Sequence, residues 1–252
     1  MIDQEIFNQW ERRISPFEQY VKRYTFPVFS TDGKNYELFG TSLGILISGK
    51  KYICTANHLI EKISETRADV VIAVNGKFES LNLDTVITIK NETIDYDVCL
   101  IELNGNPDHV PYLRQQEFYQ DNNFDESWQF LLGFRISKNK YHDIHDHERE
   151  MIKTNYLKSV FRVQQNIEHP FIGVSDKTHL LFELKESVYK KEDDLPAIEL
   201  KKLQNMPGLI GHSGCGIWNI NNTTIKLAGI FILFKSGIGA GTKAKCILEL
   251  NK

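Results

Sequence analysis

From Phe26 to the C-terminus the chain is cut into short runs of β-branched and aromatic residues by Gly, Asn, Asp and Pro. No long helical period separates these runs, so a doubly wound sheet, which needs a helix after each strand, is excluded. Strands are expected near 38–48 (LFGTSLGILIS), 51–55, 69–74, 77–90 and 97–103, then at 128–134, 156–164, 179–184, 214–220, 225–234 and 243–250. Asn75-Gly76, between two such runs, is a strong hairpin signal, and Asn221-Asn222 reads as another turn. A bridge rich in Pro, Asn and Asp covers 104–126. Two sets of about six strands on either side of it predict an all-β fold of two packed six-stranded antiparallel barrels. Barrel one covers about 26–115 and barrel two about 126–252 of a unit spanning 26–252.

The first 25 residues differ. Ile6, Phe7, Trp10, Ile14, Phe17 and Val21 recur at three- and four-residue spacing, which predicts an amphipathic helix that Pro16 is placed to break. The stripe of this N-terminal extension serves either as a core-facing side or as a surface for a partner protein or a second copy.

At 252 residues, with 41% apolar and 25% charged side chains, the chain has the make-up of a globular protein and not of a disordered one. Its net charge of −3 gives no general attraction for nucleic acid or an anionic membrane. The apolar run LAGIFILF at 227–234 is far short of the ~20 residues a spanning helix needs. The N-terminus is charged from Asp3 onward with no apolar signal-like core, and the cysteines form no C-x-x-C pair. Cys54, Cys99 and Cys246 sit in apolar strand-like runs. Reduced, buried thiols in a cytoplasmic protein are therefore expected.

Three segments carry the elements of acyl-transfer chemistry. Thr55-Ala56-Asn57-His58 follows a short apolar strand, Asp97 heads the run Val98-Cys99-Leu100-Ile101, and Ser213 stands among glycines in Gly211-His212-Ser213-Gly214-Cys215 before another strand. A hydroxyl nucleophile, an imidazole base and a carboxylate that orients the imidazole are what such chemistry needs.

In that order these segments resemble the motifs of the trypsin-like, chymotrypsin-fold serine peptidases, roughly T-A-A-H, D-[IV]-A-L-[IL] and G-x-S-G-G. The His-to-Asp interval is a little short and the Asp-to-Ser interval somewhat long. The resemblance covers about 26–250 and looks closest to the bacterial intracellular branch, through Leu132-Gly133-Phe134 and the Gly211–Trp218 segment. It implies Ser213 as nucleophile, His58 as general base and Asp97, not Asp95, as the orienting carboxylate. Asp95 and Asp97 are expected on one face of an extended strand. The backbone N–H groups of Gly211 and Ser213 would form the oxyanion hole. The primary pocket would have Pro207 on its floor and Ile232, Leu233 and Phe234 on its wall. With no carboxylate between Glu199 and Glu249 to receive a substrate Lys or Arg, the expected preference is for apolar residues.

Departures from the motifs are readable too. Asn57 stands where alanine is usual, and Cys215 where glycine is usual, as a small strand residue with no partner for nucleophilic work. His212 replaces the aspartate that in secreted members receives a new N-terminus, so no such activation is expected. His142, His145 and His147 alternate with acids in KYHDIHDHERE, a pattern open to zinc but read here as a solvated loop. The charged run KESVYKKEDDLP at 185–196 reads as an exposed excursion. Gly237, Gly239 and Gly241 lead into no helix and read as loop glycines, and no phosphate-binding fingerprint calls for a cofactor.

An esterase of the α/β-hydrolase type would need an acid and then a histidine after the serine, and 214–252 holds neither histidine nor aspartate. The expectation is thus a serine endopeptidase acting on protein or peptide substrates, with a non-catalytic peptide-binding or scaffold module of the same fold as the alternative.

Overall fold

A computed structural model describes residues 4–66, 68–88, 93–105, 107–121, 124, 128–134, 140–141, 156–161, 163–164, 167–183, 211–221 and 223–249. The triple-histidine segment with His142, His145 and His147, the charged run at 185–196 and Pro207 lie outside the described residues.

Helix α1 (Gln4–Tyr24) runs unbroken through Pro16. Pro16 is exposed, and the helix continues because Ile14 before it and Phe17, Tyr20, Val21 and Tyr24 beyond it pack into the main core. That burial, at about 1.5–3 kcal/mol for a large apolar side chain, outweighs the roughly 3 kcal/mol an interior proline costs. The stripe from Ile14 onward thus faces the chain's own core. Tyr20 also donates to Glu117 and meets the Trp218 ring edge-on.

The first half holds strands β1 (Thr25–Thr31), β2 (Tyr36–Ile47), β3 (Lys50–Ala56), β4 (Asp69–Val74), β5 (Lys77–Thr88) and β6 (Val98–Leu103), with helix α2 (Asn57–Thr66) between β3 and β4. They pair antiparallel in the order β1-β4-β5-β6-β3-β2, and β1 pairs β2 again, so the barrel closes. Asn75 and Gly76, at φ of 50 and 81°, turn β4 into β5 with Val74 opposite Lys77. Such φ values are the left-handed pair that a two-residue hairpin requires. Short β7 (Leu113–Arg114) adds to β2 in parallel.

In the second half, β8 (Trp128–Phe134), β9 (Lys140–Tyr141), β10 (Tyr156–Phe161), β11 (Val163–Gln164), β12 (His179–Glu183), β13 (Gly216–Asn221), β14 (Thr224–Lys235) and β15 (Ile238–Lys243) precede helix α3 (Ala244–Glu249). Apart from β9, which pairs β2, they form a sheet in the order β10-β8-β13-β14-β15-β12-β11. Consecutive β10 and β11 border β8 and β12 respectively, at opposite ends of this order.

Two expectations fail here. The strand anticipated over 243–250 ends at Lys243 and gives way to α3, whose Ala244 and Ile247 reach the core at helical spacing. Gly239 and Gly241 lie in β15 and not in a loop. A Cβ on Gly239 would come 2.3 Å from the Phe182 ring, and one on Gly241 2.1 Å from Ile217 Cδ1.

The strands at the base of the site are buried on both faces. In β6, Val98 and Leu100 enter the core between the two sheets, whereas Cys99 and Ile101 enter barrel one. In β14, Leu227, Ile230 and Ile232 face the shared core, and Ala228 and Phe231 face the interior of the second sheet. Two-sided burial explains why these segments read as continuous apolar runs and not as alternating ones.

Candidate active site

His58 is the second residue of α2, immediately after β3, and its surroundings are set by Asp97. The Asp97 carbonyl accepts from Asn57 N–H at 3.0 Å, and its carboxylate Oδ1 accepts from His58 N–H at 2.8 Å. Asp97 therefore caps α2 from a distant part of the chain. First-turn N–H groups lack partners within a helix, and the helix N-terminus favours a carboxylate. The other oxygen, Oδ2, lies 2.5 Å from His58 Nδ1. An ionised carboxylate can only accept, so Nδ1 is the ring nitrogen that donates to it. Asp97 is nearly buried, with 8% of its side chain exposed, whereas the imidazole is 40% exposed.

Asp97 differs from its expected setting. Strand β6 begins only at Val98, and Asp97 sits at φ 44°, a left-handed conformation uncommon for a non-glycine residue. Asp95 does not share a strand face with it. Its carboxylate accepts the Asp97 N–H at 3.1 Å and stabilises that bend. The second sheet holds the same segment. Asp95 N–H donates to Gly173 O at 3.0 Å, His179 Nε2 donates to Asp95 O at 2.8 Å, and Thr242 donates to the Tyr96 carbonyl. His179 Nδ1 accepts from Ser175 N–H at 3.2 Å, which fixes its tautomer, and burial pushes its pKa down. Ser175 and Thr178 on the Nδ1 side are sequence neighbours of His179, but the Asp95 carbonyl that its Nε2 meets lies 84 residues away, so its hold on the site is not readable locally.

Ser213 occupies a tight turn closed by Cys215 N–H donating to His212 O at 2.8 Å. Gly214 N–H donates to Phe231 O on β14 at 2.7 Å, and Thr41 N–H on β2 donates to Ser213 O at 2.9 Å. Gly214, at φ 87°, fits tightly. A Cβ there would stand 2.0 Å from Thr41 O, 2.3 Å from Thr55 Oγ1 and 3.0 Å from Ala56 N. The serine turn thus rests on the backbone that leads directly to His58. No hydrogen bond joins Ser213 Oγ to His58 among the described residues. The buried His212 ring packs on Gly133, where a Cβ would approach it to 2.7 Å.

Of the expected wall residues, Ile232 is buried in the shared core at 1% exposure, and Leu233 and Phe234 are half-buried. A separate cavity of about 690 Å³ opens between α2 and β5 beside Asp97, lined by Asn57, Glu61, Glu65, Asp95 and Asp97 among others. Among the described residues there is no group of three His, Cys, Asp or Glu side chains able to hold a metal, and no helix long and apolar enough to cross a membrane. All four cysteines are free and buried. Burial pushes the thiols of Cys54, Cys99 and Cys215 up, so none is a thiolate nucleophile at neutral pH.

No model of a known protein family matches the chain, and no curated protein matches it by sequence. Among solved structures, the chain is similar to a Glu endopeptidase determined in complex with MPD, with a TM-score of 0.50 and 15% identity over 91% of this chain and 88% of the other. A serine protease of human pathogenic astrovirus superimposes with a TM-score of 0.45 and 10% identity, covering 88% of this chain and 89% of that one. The fold is that of the chymotrypsin-like serine proteases.

Proposed function

We propose that this protein is a serine endopeptidase of chymotrypsin fold, with Ser213 as nucleophile, His58 as general base and Asp97 as the carboxylate that orients it. The observation that carries the reading is the doubly held imidazole. Asp97 binds both the His58 backbone and Nδ1, leaving Nε2 to take up a proton, and the serine turn bonds Thr41 and packs against the Thr55-Ala56 backbone that leads to His58. Ser213 Oγ attacks the peptide carbonyl, its proton passes to His58 Nε2 and then to the leaving amine, and water repeats the sequence to release the acyl group. The N–H groups of Gly211 and Ser213 face the developing oxyanion, each contributing about 3 kcal/mol of transition-state stabilisation.

Leu233 and Phe234 present the apolar surface of the primary pocket, while Ile232 supports the wall from the core. Cleavage after apolar residues follows. Four buried free thiols accord with a reducing compartment such as the cytoplasm.

One observation favours a second reading, a peptide-binding module: Ser213 Oγ makes no hydrogen bond to His58. In free enzymes such bonds are often long and tighten only with substrate. Turnover of a mixed peptide library by the wild-type protein, abolished by Ser213→Ala, is the test; binding of peptides without turnover supports the module instead.

A further inference from the structure

Thr41 makes four hydrogen bonds from a fully buried position on β2, and all of them converge on the site. Its N–H donates to Ser213 O at 2.9 Å, and its carbonyl accepts from Thr55 Oγ1 at 2.8 Å, three residues before His58. Its hydroxyl lies 2.8 Å from Gly211 O and 3.1 Å from Phe134 N. The Phe134 N–H can only donate, so the single hydroxyl proton of Thr41 is committed to Gly211 O.

One residue therefore grips the carbonyls at both ends of the tripeptide Gly211-His212-Ser213. Gly211 lies at φ 105°, and with the peptide plane of its carbonyl held, the torsion about its N–Cα bond alone is left to set the direction of its N–H, which belongs to the preceding peptide. Without the hydroxyl, the Gly211 peptide would be free to rotate, since glycine tolerates both signs of φ almost equally. Resting on the peptidase reading above, we propose that Thr41 is the positioning residue of the oxyanion site, its hydroxyl locking the Gly211 carbonyl so that the Gly211 and Ser213 N–H groups converge. It touches no reacting atom. Its effect belongs to the transition state, where the oxyanion develops, and not to ground-state binding.

The test compares wild type with Thr41→Val, which keeps the shape and loses the hydroxyl, and Thr41→Ser, which keeps the hydroxyl. Activities are normalised to folded protein by circular dichroism. Three quantities are read: the fluorophosphonate labelling rate, kcat and KM on a peptide substrate, and amide hydrogen exchange over 211–215. Thr41→Val is expected to lower kcat and labelling on the order of 10²-fold, the scale of an ångström-sized misplacement. KM should stay within a few-fold and exchange in the turn should accelerate, while Thr41→Ser stays close to wild type. If Thr41→Val fails to accumulate as folded protein, Thr41→Cys, whose thiol bonds weakly, takes its place with the same expectations. Wild type that labels while the hydroxyl-free variant labels equally fast overturns this inference alone, as does Thr41→Ser losing as much as Thr41→Val. Wild type that resists labelling overturns the peptidase reading and this inference together.

Discussion

The Asp97 carboxylate holds His58 at two points, Oδ1 on the backbone N–H at 2.8 Å and Oδ2 on Nδ1 at 2.5 Å. One side chain thus caps a helix and sets an imidazole tautomer, and substitutions can separate the two roles. Asp97→Asn retains an oxygen for the cap but cannot accept through both positions, so kcat should fall roughly 10⁴-fold. Asp97→Ala should lose as much activity and in addition about 1–2 kcal/mol of stability, the usual worth of a cap. Steady-state kinetics and denaturant midpoints on both variants check the separation. Equal stabilities for the two would remove the capping role.

Gly214→Ala should be far more damaging than an alanine substitution at an unconfined turn glycine such as Gly237. The added methyl at Gly214 would meet the Thr41 carbonyl at 2.0 Å, whereas at Gly237 nothing lies within 4 Å and only the left-handed φ is strained. A loss of stability on the order of 3 kcal/mol or more is expected at Gly214, against about 1 kcal/mol at Gly237. Thermal unfolding of the two variants measures the difference.

How much of this was legible in advance depends on whether the cause was local. Asn75-Gly76 carries its turn in its own φ preferences, and the His58, Asp97 and Ser213 segments lie at strand boundaries that hydrophobic patterning reveals. The left-handed bend at Asp97 is not legible, because Gly173 and His179, which hold the segment alongside the neighbouring Asp95 carboxylate, reach it only through the folded chain. Helix α2 was also missed. The group that caps its first turn is the Asp97 carboxylate, 39 residues away, which the local sequence does not show. The glycines of β15 resemble loop glycines until Phe182 and Ile217 are seen filling the space a side chain would need.

His179 predicts a pH dependence. Its ordinary pKa of 6.5 is lowered in the folded chain, mainly by burial. Below about pH 6.5 the unfolded chain takes up a proton that the folded chain refuses. Its contribution to stability is therefore full above that pH and is lost as pH falls toward the lowered value. His179→Gln keeps a donor toward Asp95 O and an acceptor toward Ser175 N–H, so it should flatten the decline in denaturant midpoint below pH 6.5. A decline as steep in the variant as in wild type would assign the effect to other groups.

Specificity should follow the β14 wall. Profiling on a peptide library should return apolar residues before the cleaved bond, and Phe234→Gly should shift the preference toward larger ones. Desolvating a Lys or Arg against Leu233 and Phe234 without a carboxylate partner costs several kcal/mol. A dominant preference for Lys or Arg would show that the pocket lies elsewhere.

The most direct test of the central claim is fluorophosphonate labelling of the purified wild-type protein, with the adduct located by peptide mass mapping. A serine activated by His58 and Asp97 should take up one equivalent, on Ser213, and both Ser213→Ala and His58→Ala should abolish it. No adduct on wild type, or an adduct on another residue that persists in Ser213→Ala, would contradict the account.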